Sequence, residues 1–361
     1  MANYTLVDFK FLQKEYLFIL LSSGILSFIL TYISIPKILK ISYGRNLLTT
    51  PNERSSHIRE IPHFGGVAIF YSMIICCTIF AQDLVSYRFL YSAIILLFFT
   101  GVMDDFLPLK ATNKLIVQII AALLITIGSD VRIKSFFGIL GIYELNYYIS
   151  ILFSVIVFIS IINAYNLIDG IDGLAASIGI IACFAFFFVF FRLMDFTLTI
   201  VCISLATSLL AFLRYNFSEN KKIFMGDTGS MLVGFLISFM AIKFINLCNE
   251  SYINFNNSPA IAIAILIVPI SDTLNVTFLR IINRENILKA DKRHIHHKLL
   301  NLNFSHKQAT LTISIFYILI LFIAYYLRHL DILLLIIIIL FLGFLFAISP
   351  NIIAKFKGNI S

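Results

Sequence analysis

The chain reads as an all-α polytopic membrane protein, and three observations carry that fold class. Of its 361 residues, 60% are apolar and only 13% charged, with a mean hydropathy of +0.96, far above an ordinary soluble domain. Apolar runs recur along the whole length, most of them close to the roughly 20 residues that a helix needs to cross a bilayer. The runs are continuous, whereas barrel strands would alternate, and only helices or closed barrels satisfy the backbone in lipid.

About eleven spans follow in order. The first, 16–38, comes after Lys10, Lys14 and Glu15 and lacks a small-residue cleavage site, so it reads as a retained span. The second, 65–82, opens on Gly65-Gly66. The third, 88–103, stops at Asp104-Asp105, and the fourth, 115–129, begins just after Lys114. The fifth, 148–166, runs into NAYNLIDGIDG, and the sixth and seventh, 174–191 and 196–213, follow closely. FMGDTG introduces the eighth, 229–247. The ninth, 259–279, precedes the most basic loop, and 308–327 and 331–349 complete the set. No soluble domain, internal repeat or low-complexity tail is visible, so 1–361 reads as a single integral membrane domain. The five cysteines lie within or at the ends of apolar runs without CxxC spacing, as small apolar residues do.

The net charge is +8, and its placement matters more than its sign. With eleven spans and an outer N-terminus, the inner segments are 39–64, 104–114, 167–173, 214–228, 280–307 and the C-terminal tail. Counting Lys37, these hold 19 of the 27 Lys and Arg, seven of them in 280–307. The positive-inside rule therefore places the N-terminus out and the C-terminus in. A charge distributed this way implies no nucleic-acid partner. The chemistry-capable residues then share the cytoplasmic face. An ionised carboxylate is costly in hydrocarbon, so acids gathered at span ends point to a polar site there.

Asp104 and Asp105 are adjacent carboxylates that repel each other unless a cation or proton sits between them. Magnesium suits such a place, because it takes one or two carboxylates plus phosphates and water. Lys114 stands at a helix start, where the dipole disfavours a cation and a phosphate would favour one. Asn163, Asn166, Asp169 and Asp172 recur every three residues, which on one continuous helix keeps neighbours on one face. In FMGDTGS, Thr228 and Ser230 sit at a helix start whose N–H groups suit an anion, and Asp227 suits a metal bridging to that anion. Asn216 begins the same loop. DKRHIHH offers His294, His296 and His297, without the Cys or further acids of a local tetrahedral zinc set. The setting suits a pyrophosphate grip, with neutral imidazoles donating hydrogen bonds. In the first inner loop Arg54, His57, Arg59 and His63 precede Gly65 and Gly66, a pattern that suits a phosphate or nucleotide contact.

The combination of DD, NxxNxxDGxDGL, FMGDTGS and HIHH resembles the polyprenyl-phosphate N-acetylhexosamine-1-phosphate transferases, over about residues 35–310. HIHH is more similar to the branch using plain UDP-N-acetylhexosamines than to the phospho-MurNAc-pentapeptide translocase, which carries three consecutive histidines. Ser55 stands where that family often has a lysine. The resemblance implies transfer of HexNAc-1-phosphate, GlcNAc-1-phosphate first, from a UDP-sugar to undecaprenyl phosphate, with release of UMP. It implies Mg²⁺ or Mn²⁺ on Asp227, with Asp104 and Asp105 acting on the acceptor phosphate. Asn163, Asn166, Asp169 and Asp172 would hold the nucleotide, and Lys114, His294, His296 and His297 the phosphates. Asn216, Arg54, His57, Gly65 and Gly66 complete the substrate-binding expectation. The expected setting is the bacterial inner membrane, with the site facing the cytoplasm and a homodimer compatible with the sequence. An ion-coupled transporter is the competing class, but such sites favour the midplane and repeated halves. A reporter fused after Asn220 is expected to read cytoplasmic and one after Asn254 external; reversed readings would remove the shared inner face.

Overall fold

The computed structural model describes residues 6–47, 61–250, 257–285 and 293–358. The expected site residues Arg54 and His57 lie outside these, as do Arg59, Asp291 and Lys292. The described chain is helical, with no strand and only isolated bridge pairings, Ser135 with Glu144 among them. In order it forms α1 (Leu6–Gly44), α2 (Gly65–Phe80), α3 (Arg88–Phe106), α4 (Ala111–Leu123, prolonged by a π-helical turn Leu124–Gly128) and α5 (Tyr147–Ile168). Then come α6 (Leu174–Arg192), α7 (Phe196–Asn216), α8 (Gly226–Glu250), α9 (Ser258–Ile265) and α10 (Ile267–Ile282). The chain closes with α11 (Ile295–Asn301), α12 (His306–Tyr326) and α13 (Ile332–Gly358).

Among the described residues nine helices are long and apolar enough to span a membrane, or ten spans if α9 and α10 count as one. Each expected apolar run has its helix, with two corrections to the count of eleven. α2 has 16 residues, fewer than a full span requires. The run 259–279 is not straight: α9 and α10 meet at 72°. The cause is Pro269, which has no N–H to give to the carbonyl four residues earlier. That carbonyl belongs to Ile265, and it instead accepts the Tyr317 hydroxyl of α12 at 2.5 Å. A broken helix at membrane depth persists where another helix satisfies the freed group in this way.

α8 is the axis of the bundle. Of its span window 78% is buried, against 22% for α13 at the periphery, as expected for a helix apolar on every side. It packs on α2, α3, α5, α6 and α9. Close approach is set by small residues. A Cβ on Gly66 of α2 would lie 2.2 Å from the Gly229 nitrogen, and one on Gly101 of α3 would lie 2.4 Å from the Thr228 Cα. A Cβ on Gly65 would meet the Phe212 ring at 2.4 Å and the Phe224 oxygen at 2.6 Å. The backbone confirms this seam: Gly65 and Gly66 donate to the Phe224 and Met225 carbonyls at 2.9 and 2.8 Å. The glycine pair expected to meet a ligand thus faces the entry to α8. Gly66→Ala or Gly101→Ala should lower stability by about 1–3 kcal/mol through overpacking; an unchanged thermal midpoint in detergent would show that the seam can open without cost.

Candidate active site

The polar residues gather where α3, α5 and α8 end or begin. α8 starts at Gly226, whose φ of +73° favours glycine, and a Cβ there would lie 2.0 Å from the His63 carbonyl. Its first N–H groups have no partner inside the helix. Asp105, in the last turn of α3, supplies one: its carboxylate accepts the Asp227 N–H at 2.8 Å, the Thr228 N–H at 3.1 Å and the Thr228 hydroxyl at 2.5 Å. The anion expected at this helix start is therefore the protein's own. The His63 ring, through Nε2, hydrogen-bonds the Asp105 carbonyl at 2.7 Å.

Asp104 turns the other way. Its carboxylate accepts the Leu109 N–H at 2.7 Å and pairs with the Lys114 ammonium at 2.5 Å. The same ammonium lies 2.5 Å from Asp227. The expectation of a cation between Asp104 and Asp105 is thus corrected. The two side chains diverge, and the shared cation lies between Asp104 and Asp227. Two carboxylates also explain a lysine at the start of α4, where the dipole alone would repel it. Asn166 reaches Asp227 as well.

The three-residue series does not stay on one helix. α5 ends at Ile168, with Asp169 as its C-cap, so Asn163 and Asn166 are helical while Asp172 lies in the turn beyond. Asn163 pairs with Gln118 of α4, donating to its Oε1 at 2.9 Å. Asp172 is paired with Lys222 at 2.5 Å and with His306 at 3.2 Å. Asn216 is buried, and its amide is used by backbone: Oδ1 accepts the Gly173 N–H at 2.5 Å and Nδ2 donates to the Ile223 carbonyl at 2.8 Å. It pins the Asp172 turn to the 217–225 loop rather than facing an open cleft.

The histidines approach from the far side of this turn. His294 hydrogen-bonds Asp272 of α10 through Nδ1 at 2.8 Å, and the other Asp272 oxygen accepts the Ile295 N–H at 2.8 Å. His296 packs on Gly170, where a Cβ would lie 2.3 Å from its Nε2, and the His297 ring centre is 4.3 Å from its own. His296 is buried, and its Nδ1 has no hydrogen-bond partner among the described residues. Burial, helped by the neighbouring His297, His294 and His306, pushes its pKa down to about 3 against the pull of Asp272. A pKa that low keeps the ring neutral at physiological pH, through burial rather than through the fixed cations on which the sequence expectation rested.

Asp272 escaped the sequence reading because it was counted inside an apolar run. The signal was there: an acid within a membrane span is a functional hypothesis by default. Lys222 and His306 carried no motif. Taken together, Asp104, Asp105, Asp169, Asp172 and Asp227 converge, and Lys114 and Lys222 are the lysines paired with them. Asp169 shows the strain of this surplus. Its pKa is raised well above the ordinary carboxyl value by desolvation first, then by Asp227, Asp105 and Asp172.

The fold and this acid-rich, histidine-flanked site define a multi-pass membrane protein with a polar centre at one end of its bundle. The chain belongs to glycosyl transferase family 4, whose profile matches residues 87–245. It is 31% identical over 317 residues to the decaprenyl-phosphate N-acetylglucosaminephosphotransferase of Mycolicibacterium smegmatis, spanning 80% of this chain and 77% of that one. It is 31% identical over 296 residues to the probable undecaprenyl-phosphate N-acetylglucosaminyl 1-phosphate transferase of Bacillus subtilis, spanning 80% and 79%. A Yersinia pestis relative, an undecaprenyl-phosphate alpha-N-acetylglucosaminyl 1-phosphate transferase, is 24% identical over 283 residues, spanning 76% and 75%.

The lowered pKa of His296 gives a signed pH dependence. The unfolded chain takes up the proton near pH 6.5 while the folded ring does so only near 3, so its contribution is present above about 6.5 and is lost as pH falls toward 3. The thermal midpoint should fall between pH 7 and 4, and His296→Gln should fall less steeply. Equal slopes would show that the ring titrates normally.

Proposed function

We propose that this chain transfers HexNAc-1-phosphate, GlcNAc-1-phosphate first, from a UDP-sugar to undecaprenyl phosphate in the bacterial inner membrane. An acceptor phosphate oxygen bonds to the β-phosphorus, the bond from that phosphorus to the bridging oxygen breaks, and UMP leaves with the electron pair. The observation that carries this reading is the position between Asp104 and Asp227, where two carboxylates meet one cation at 2.5 Å each. The acceptor's phosphate lies at the membrane surface and the nucleotide is water-soluble, so the chemistry requires a polar centre at a span end. The basic inner loops favour the cytoplasmic face for it.

Mg²⁺, or Mn²⁺, fits this donor set. Among the described residues no group of three or more His, Cys, Asp or Glu could hold a metal. Magnesium does not require one, since it is held by one or two carboxylates and completed by substrate phosphates and water. Asp227, with Asp104, would hold it, and once bound it would neutralise charge on the diphosphate. Lys114 already bridges the same carboxylates and can extend to a phosphate without leaving the site. Asp104, held beside Lys114, would act on the acceptor phosphate. Asp105 acts through position, because its oxygens are committed to α8. The imidazoles of His294, His296 and His297 would donate single hydrogen bonds to phosphate oxygens. Asn166 and Asp169 border the same space and would meet the nucleotide.

HIHH in place of three consecutive histidines favours a plain UDP-sugar over the pentapeptide-bearing donor. Ion-coupled transport is disfavoured because the acids of the four motifs stand at helix ends, while Asp272, inside a span, is occupied by His294 and the Ile295 N–H. Asp227→Asn should abolish UMP release from UDP-GlcNAc in undecaprenyl-phosphate micelles while the protein remains folded by gel filtration. Wild-type activity should vanish with EDTA and return with Mg²⁺. Near-normal turnover in the variant would reduce Asp227 to a helix-start residue, and a panel of UDP-sugars in the same assay identifies the donor.

A further inference from the structure

A cavity lies away from the polar site, between α6, α9 and α12, with a volume of about 770 Å³. Its walls are two apolar stripes that run in the same direction. On α6 the stripe runs from Ile181 to Arg192, and on α12 from Ile318 to Tyr325, with Arg328 just past the helix end. Both helices begin beside Asp172, through Gly173 and His306, so the arginine end is the end opposite the polar site. Ile265, at the break between α9 and α10, lines the wall between them.

The dimensions fit one leaflet. The eleven helical steps from Ile181 to Arg192 rise about 16 Å and the eight from Ile318 to Tyr326 about 12 Å, close to half of the roughly 30 Å hydrocarbon core. The groove therefore reaches from mid-membrane to the opposite face and stops there. Its charge is confined to that end, on Arg192 and Arg328 with His329 beside them, and the rest of the lining is apolar or aromatic. Arg328 is held over the Tyr325 ring at 4.2 Å and donates one hydrogen bond to the Tyr325 carbonyl at 2.8 Å. A guanidinium has five donors in a planar fork matched to phosphate. Asp331, the acid nearest Arg328 in sequence, is committed to a helix start and accepts the Leu333 N–H at 2.9 Å.

We propose that this groove binds an anionic phospholipid of the leaflet opposite the polar site, with its phosphate on Arg192 and Arg328 and one acyl chain along α6 and α12. A polyprenyl chain would outrun a groove one leaflet long. The bound chain touches α6, α9 and α12 at once, including the wall beside the Ile265 break.

Delipidated protein in a neutral detergent, titrated with dioleoyl phosphatidylglycerol, phosphatidylcholine and undecaprenyl phosphate, tests this by native mass spectrometry of bound lipid. Phosphatidylglycerol should bind about tenfold or more tighter than phosphatidylcholine, as two arginines near a head group allow. The double variant Arg192→Gln, Arg328→Gln should lose that preference. Ala185→Trp, which fills the groove without touching its charge, should reduce binding of phosphatidylglycerol at an unchanged gel-filtration profile. Equal binding of the two phospholipids, or a preference that survives the double variant, would overturn the proposal. So would stronger binding of undecaprenyl phosphate, or a dimer that dissociates in Ala185→Trp, which would seat a second copy in the groove.

Discussion

The carboxylate of Asp105 on the start of α8 is the contact on which the rest of the site depends. α8 is the most enclosed span of the bundle, and its first N–H groups would otherwise face a crowded seam with little water. Asp105 gives them a charged acceptor at 2.8 and 3.1 Å, where the helix dipole also favours a negative charge. Because the preceding residue, Asp104, is tied to Lys114, one short segment of α3 fixes both the start of α8 and the cation beside it. Asp227 then has one place to be. The glycines at 66, 101 and 226 are the steric side of the same arrangement, since they let α2, α3 and the His63 segment close on that start.

Around this contact the charges form a graded set. Lys114 bridges Asp104 and Asp227, and Lys222 pairs with Asp172, whose backbone N–H donates to His306 Nδ1. Asp169 sits among them with its ionisation opposed by burial and by its neighbours. A further acid, Asp272, is set back from this group and holds the histidine segment through His294 and the Ile295 N–H. Acids thus play two roles: some present charge to the centre, and others fasten backbone and side chains that border it.

Much of this was legible in the sequence, for a physical reason. Hydrocarbon penalises polar residues so strongly that their mere presence at span ends marks a site. The helical class, the order of the helices and the gathering of DD, NxxNxxDG, FMGDTG and HIHH all follow from that penalty. What the sequence hid was partnership. Adjacent aspartates look like a shared ligand, yet helix geometry at the end of α3 sends Asp104 and Asp105 to different partners. A three-residue repeat looks like one helical face, yet α5 ends within it. Gly65 and Gly66 look like a phosphate turn but serve a helix crossing. Asp272 lay unseen because hydropathy averages a single acid away, and the bend at Leu266 because one proline near a span's middle barely lowers that average.

α12 touches both halves of the bundle's polar end and its break. Near its start Thr310 donates to the Asp172 carbonyl at 2.7 Å, and two turns on Tyr317 holds the Ile265 carbonyl. It therefore works as a strut between the turn after α5 and the elbow of α9 and α10. α10 carries Asp272, and Asp272 carries the histidines. A swing of the elbow cannot move that segment alone: it must either break the tyrosine bond or drag the strut, and with it the backbone of Asp172. The acidic turn and the histidine segment are in this sense parts of one linkage, coupled through a helix that contributes no residue of the four motifs.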